Sequence, residues 1–150
     1  MKSRETDNPD FRFPKSARLH HRSLVEGLFR YGKSFYEFPY RVTWRLLQPD
    51  ELEKNFRNNV PDNIGRLQMM VVVPKKKRRR AVDRVLMRRR IRESYRKNRG
   101  RLEEEVARKE DVGTLSLAFV YIHDKNIPYR QAEQKMQSAL SKLTEKLIKR

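Results

Sequence analysis

The chain has no cysteine, which excludes disulfides and thiolate metal sites and is compatible with a reducing cytoplasm. It has no apolar run long enough to span a bilayer, the stretch from Met69 to Val73 being among the longest. The amino-terminal MKSRETDNPDFRFPKSARL carries no apolar core of secretion-signal length. There is no glycine-rich phosphate loop, no HExxH, and no Ser-His-Asp pattern with supporting context. The three histidines, His20, His21 and His123, lack metal-ligand spacing. Acidic groups at Asp50-Glu51, Glu103-Glu104-Glu105 and Glu110-Asp111 read as solvated side chains rather than a magnesium site. These absences predict a soluble, cytoplasmic protein with no catalytic residues, no metal of its own and no membrane partner.

Acid is the remaining shortage. Nineteen Asp and Glu face 37 Lys and Arg, a formal net charge of +18. Such crowding of like charge opposes folding, so a polyanionic partner is expected to offset it. At 150 residues, 37% of them hydrophobic, the chain has room for one domain with a small core. Residues 1–12 read as a flexible arm, and 13–150 as a single polyanion-binding domain.

The pattern along that domain mixes both kinds of element. Ser16 as N-cap and Gly32 as C′ glycine frame a helix over about Ala17 to Tyr31. FYEFPYRVTWRLL (Phe35 to Leu47) reads as extended, with a bend or edge position at Pro39, and with Tyr40, Val42, Trp44 and Leu46 alternating against Arg41, Thr43 and Arg45. Gln48 to Gly65 reads as a long loop, Leu67 to Val73 as a buried strand, and Arg79 to Ala107 as a long basic helix. Thr114 to Ile122 is a further strand. A closing helix runs from Pro128 to about Lys149, with Ala132, Met136, Ala139, Leu140, Leu143 and Leu147 on one stripe. This order predicts an α+β protein, a small mostly antiparallel sheet packed by helices.

The charge is concentrated in PKKKRRRAVDRVLMRRRIRESYRKNR, Pro74 to Arg99, where fourteen Lys and Arg meet two acids. Six consecutive bases, Lys75 to Arg80, precede the helix. Within it Met87, Ile91, Tyr95, Asn98 and Leu102 share one side, while Arg89, Arg92 and Arg96 fall opposite. Glu93 stands four residues after Arg89 and four before Lys97, where it supports the helix. A flexible tail would need no such face. Guanidinium groups stay charged and grip phosphate through two hydrogen bonds, so Lys75, Lys76, Lys77, Arg79, Arg80, Arg84, Arg88, Arg89, Arg92 and Arg96 are the candidate contacts to the phosphates of a polynucleotide. A solvated charge run, a nuclear import tag and a membrane-surface helix are the competing readings of this stretch. Aromatic rings stack unpaired bases, which makes Phe29, Tyr40 and Trp44, beside Arg41 and Arg45, a candidate platform.

The succession Pro74-Lys75-Lys76, Ala81-Val82, Arg84, Arg88-Arg89, Arg92-Glu93 and Tyr95-Arg96 resembles the signature helix of the bacterial ribonuclease P protein component. FPKSARL followed by VEGLFRYGKSF is similar to that family's first helix and its turn, so the likeness covers nearly the whole chain after Phe11. Two departures stand out: Val85 and Leu86 replace the usual Asn and Arg, and a turn glycine is replaced within the basic block. The resemblance implies an α-β sandwich with a left-handed βαβ crossover through the basic helix. It implies that this helix binds the catalytic RNA, and that a cleft between the first helix and the sheet holds the single-stranded 5′ leader of precursor tRNA. Lys75, Lys76, Arg84, Arg88, Arg89 and Arg92 match the basic motif, Phe29 the first-helix aromatic, and Trp44, more loosely, a sheet aromatic. It further implies that the RNA subunit, with Mg²⁺ held mainly by that RNA and the substrate, cleaves the phosphodiester, with no obligatory protein partner. A structural RNA-binding protein, ribosome-associated for example, and a protein-only nuclease are the other functional readings.

Overall fold

A computed structural model describes residues 13–57 and 59–149; the flexible arm expected over 1–12 lies outside them. In chain order the elements are a 3₁₀ turn (Lys15–Ala17), α1 (Arg22–Tyr31), β1 (Lys33–Glu37), β2 (Tyr40–Leu47), α2 (Pro49–Glu53), β3 (Leu67–Val72), α3 (Ala81–Asn98), α4 (Gly100–Arg108), β4 (Thr114–Tyr121) and α5 (Tyr129–Ile148). The four strands form one sheet in the order β1-β2-β4-β3. Both β1–β2 and β2–β4 are antiparallel, whereas β3–β4 is parallel and is bridged by α3 and α4. The α+β class read from the element pattern is the one observed.

Strand alternation divides the sheet into two unequal faces. Tyr40, Val42 and Trp44 of β2 join Leu115, Leu117, Phe119 and Tyr121 of β4 in the larger core, together with Met87, Ile91, Tyr95 and Leu102 and the stripe of α5. The basic helix therefore docks through the apolar side that its periodicity marks. Each of those fully buried side chains contributes roughly 1.5–3 kcal/mol over an exposed one. On the opposite face Leu24 and Leu28 of α1 pack with Leu47 and Ala118, flanked by Val25 and Met70. Arg41, Thr43 and Arg45 lie on this second face, in register with Val120, Ala118 and Ser116.

Several boundaries differ from the sequence reading. The first helix starts at Arg22 rather than Ala17, because the preceding segment is drawn onto the sheet edge: Leu19 N–H donates to Met69 O at 2.9 Å, and Arg18 bridges Met69. Gly32 ends α1 in an extended conformation, φ −73° and ψ 165°, not the left-handed one expected. Glycine is needed there for space, since a Cβ would stand 2.4 Å from Leu28 O and 2.9 Å from Trp44 O. Pro39 sits in the β1–β2 turn, and the long loop carries the short α2, whose entry is capped by Gln48 N–H donating to Glu51 Oε1 at 2.8 Å. The basic helix is two helices, separated at Arg99, with Gly100 opening the second. Glycine is a poor helix interior residue, and nothing packs on the site its Cβ would occupy.

Candidate nucleic-acid interface

The basic turn is built as a fixed structure. Lys77 and Arg78 N–H groups both donate to Pro74 O, at 3.0 and 3.1 Å. Arg78 is turned inward: its Nε donates to Asn126 Oδ1 at 2.8 Å and its Nη2 lies 3.1 Å from Asp83 Oδ2. Arg84 donates from Nη1 to the carbonyls of Arg78 and Arg79, at 3.1 and 2.7 Å. Arg84, grouped with the RNA contacts on sequence, thus also clamps the turn, and Arg80 pairs with Asp83 at 3.2 Å. These bonds leave Lys75, Lys76 and Arg79 exposed on a turn that cannot swing freely.

Asn126 Nδ2 donates to Asp83 Oδ1 at 3.0 Å, and this bond, with the Arg80 and Arg78 charges, holds the Asp83 carboxyl below its ordinary pKa. A depressed folded-state pKa means stability that is present above the unfolded value and lost as pH falls through the folded one. Acidification below about pH 4 should therefore release the basic turn. Hydrogen exchange of the Lys75–Arg80 amides should accelerate there relative to the β4 amides, and Asp83→Asn should lose that pH dependence. Equal protection of the wild-type turn on both sides of this window would refute the assignment.

Along α3, Arg89 and Arg92 are exposed and Arg88 is half-buried. None of the three forms an ion pair among the described residues. The Arg92 guanidinium is held below its ordinary pKa, first by burial and then by the neighbouring charges of Arg18 and Arg88. Like charges crowded without a carboxylate are arranged for an external anion. Arg18 and Arg92 also line a cleft of about 340 Å³ at the β3 edge, with Phe13, His20 and Met70. Arg18 carries no marker of its own in the sequence beyond its place in SARL; only the bridge to Met69 brings it beside α3.

Other candidates are placed differently. Arg96 is paired with Glu93, whose carboxylate also lies 4.0 Å from Lys97, so Glu93 orients these two rather than Arg89. Val85, at a departure from the family motif, is 51% exposed among the arginines, while Leu86 is half-buried. Phe29 on α1 is 42% exposed and open to a ligand. Tyr40 and Trp44 are not: they are 0% and 4% exposed, and Tyr40 O–H donates to Ala132 O at 2.9 Å beneath α5. The platform reading is corrected for both. Their parity on β2 sends them into the larger core, where aromatic area is worth most, and turns Arg41, Thr43 and Arg45 toward α1 instead. Arg45 lies against Gly27, with its guanidinium carbon 5.1 Å from the Tyr31 ring centroid. The same alternation that was legible in the sequence marks this face, once the larger core is assigned to the apolar set.

No group of three or more acidic, histidine or cysteine side chains that could hold a metal occurs among the described residues. Nor, among them, is any helix long and apolar enough to cross a membrane. Fold and site together define a small α+β domain that displays one uncompensated cationic helix face. Residues 13–147 match the model of the Ribonuclease P family, and the chain belongs to that family. It is 31% identical over 138 residues to the ribonuclease P protein component of Porphyromonas gingivalis strain W83, covering 92% of this chain and 90% of that protein. The protein component of a second P. gingivalis strain is 30% identical over the same length. The solved Staphylococcus aureus RNase P protein shares the fold, with a TM-score of 0.55 and 17% identity, over 86% of this chain and 96% of that one.

Proposed function

We propose that this chain is the protein subunit of a ribonuclease P ribonucleoprotein, binding its catalytic RNA and the 5′ leader of precursor tRNA to promote leader removal. The observation that carries this reading is the α3 face: Arg88, Arg89 and Arg92, without carboxylates, continue the pinned turn that exposes Lys75, Lys76 and Arg79. An apolar-anchored helix presenting guanidinium forks suits a rigid, highly charged RNA better than a mobile tail does.

The leader takes the second sheet face. Val25 and Phe29 lie one turn apart on the same flank of α1, and Val25 and Met70 both pack against the core of this second face. Phe29 offers a ring for stacking any base, and Arg41 a cation for the backbone. The hydrolysis itself belongs to the RNA subunit with its Mg²⁺. The protein contributes remote binding energy that aligns the scissile bond, which lowers the barrier without a protein nucleophile.

The test compares precursor tRNAs with leaders of zero and several unpaired nucleotides, in the reconstituted holoenzyme. The longer leader should bind more tightly, and Phe29→Ala should erase roughly 1–3 kcal/mol of that advantage, the worth of one stacked base. Indifference to the leader, with RNA binding intact, would instead favour a structural RNA-binding protein. Cleavage by the protein and Mg²⁺ with all RNA removed would favour a protein-only nuclease.

A further inference from the structure

One register row crosses the whole sheet near the β1–β2 turn. Tyr36 of β1 pairs with Arg41 of β2, Arg41 with Val120 of β4, and Val120 with Val72 of β3. Residues in register share a face, and this row lies on the second face, the one that carries α1. At its β3 end, Val72 leads through Val73 into Pro74, whose carbonyl accepts from Lys77 and Arg78 and so anchors the basic turn. The row therefore joins the outer edge of the sheet to the turn that displays Lys75 and Lys76.

Two side chains in the row are uncommitted. Tyr36 is 65% exposed, and among the described residues no ring or cation stands against it. The other exposed rings at this edge are already engaged. Tyr31 has the guanidinium carbons of Arg30 and Arg45 at 5.6 and 5.1 Å from its centroid, and Phe38 has the His123 ring at 5.0 Å. Arg41 is half-buried, and its guanidinium makes no ion pair or hydrogen bond among the described residues. The nearby acid, Glu37, lies on the opposite face, where its carboxylate is 2.6 Å from Lys142 Nζ. Directly opposed residues of antiparallel strands hold their Cβ atoms about 5 Å apart, so the Tyr36 ring and the Arg41 guanidinium are neighbours.

A lone exposed aromatic calls for no ligand. Tyr36 differs because an uncompensated cation stands beside it and the row leads from both to the basic turn. A stacking ring and a phosphate-binding cation along one track are the components of a single-strand nucleic-acid site.

We propose that Tyr36 stacks the nucleotide at which the 5′ leader leaves the protein, with Arg41 on its phosphate, so that this pair sets the leader length the protein senses. This rests on the reading that the leader lies on the second sheet face. From Val72 to Tyr36 the row takes three inter-strand steps, about 14 Å. A stacked strand at ~3.4 Å per nucleotide covers that distance with about four nucleotides. Affinity rises with leader length and levels off once Tyr36 is reached.

The test measures binding of precursor tRNAs carrying a graded series of unpaired leaders to the reconstituted holoenzyme. Tyr36→Ala should leave the shortest leaders unaffected and weaken those beyond the plateau roughly fivefold or more, the loss of one stacked base. Tyr36→Phe should restore the wild-type plateau. Arg41→Gln should flatten the log–log salt slope by ~0.7, one single-strand phosphate contact, with long leaders only. A Tyr36→Ala penalty that is equal at every leader length, or absent throughout, overturns the proposal. If Phe29→Ala still erases the leader advantage in that case, only the Tyr36 assignment fails; if wild-type affinity is indifferent to leader length, the leader-face reading fails with it.

Discussion

Replacing Arg88, Arg89 and Arg92 together by glutamine is expected to weaken binding to the catalytic RNA by on the order of a thousandfold. Charge-assisted hydrogen bonds contribute about 1.5–3 kcal/mol each, so three at the lower end give ~4.5 kcal/mol. The salt slope should fall by about 2.7 if all three contact duplex phosphates, at ~0.9 each. The fold should survive, because none of the three is engaged in an ion pair among the described residues. Relief of the repulsion among Arg18, Arg88 and Arg92 even argues for a slightly higher melting temperature. Arg78→Ala should behave in the opposite way. It removes a half-buried pin from Asp83 and Asn126, so it should lower stability first and affect binding through the loosened turn. Filter binding or fluorescence anisotropy across a salt series, beside thermal melts, separates the two. A triple neutralisation of the exposed Lys54, Arg57 and Arg130 that weakens binding equally would show diffuse attraction and remove α3 from its assigned role.

Tyr95→Ala should cost about 3–5 kcal/mol, the range for deleting a buried aromatic side chain. Tyr95 is 1% exposed and couples α3 to both its neighbours, with its ring centroid 5.8 Å from Phe119 of β4 and 6.1 Å from Phe13. Against a total stability of roughly 5–15 kcal/mol, the loss is a large share of what holds the domain folded. At about 2–4 °C per kcal/mol for a chain of this size, the melting temperature should drop by roughly 6–20 °C. Because RNA binds only the folded form, saturating RNA should restore much of the difference through linkage. The measurement is a melt of each protein with and without the catalytic RNA. A shift of only a degree or two in the free protein would mean that the apolar stripe of α3 is not what fastens the basic helix to the sheet.

Much of this architecture was legible in the chain itself where periodicity and burial point the same way. The Met87, Ile91, Tyr95, Leu102 stripe and the stripe of α5 are each long enough for the 3.6-residue repeat to fix the inward side, and both are buried as expected. The exposure of Arg89 and Arg92 follows from the same repeat, whereas Arg96, read onto that side, is half-buried and paired with Glu93. Tyr40 and Trp44 were misplaced because alternation gives two faces without naming which is wet. That assignment depends on how much apolar surface the helices bring to each side, a quantity summed over distant parts of the chain. The start of α1 was misplaced for a related reason: Ser16 is a good local cap, but the backbone of Leu19 gains a strand-edge partner in Met69.

By itself, then, the amino-acid order determined that one helix is two-sided, that its outer side is cationic, and that an α+β domain accompanies it, since each of these depends on spacing within one segment. Only the tertiary structure decided that Arg18 joins Arg88 and Arg92, that Arg84 and Arg78 brace the turn, that Arg41 rather than Tyr40 faces α1, and that Lys146 of α5 meets the Phe35 ring of β1. Those are juxtapositions of residues tens of positions apart, and they follow from strand order and from which sheet face each helix covers.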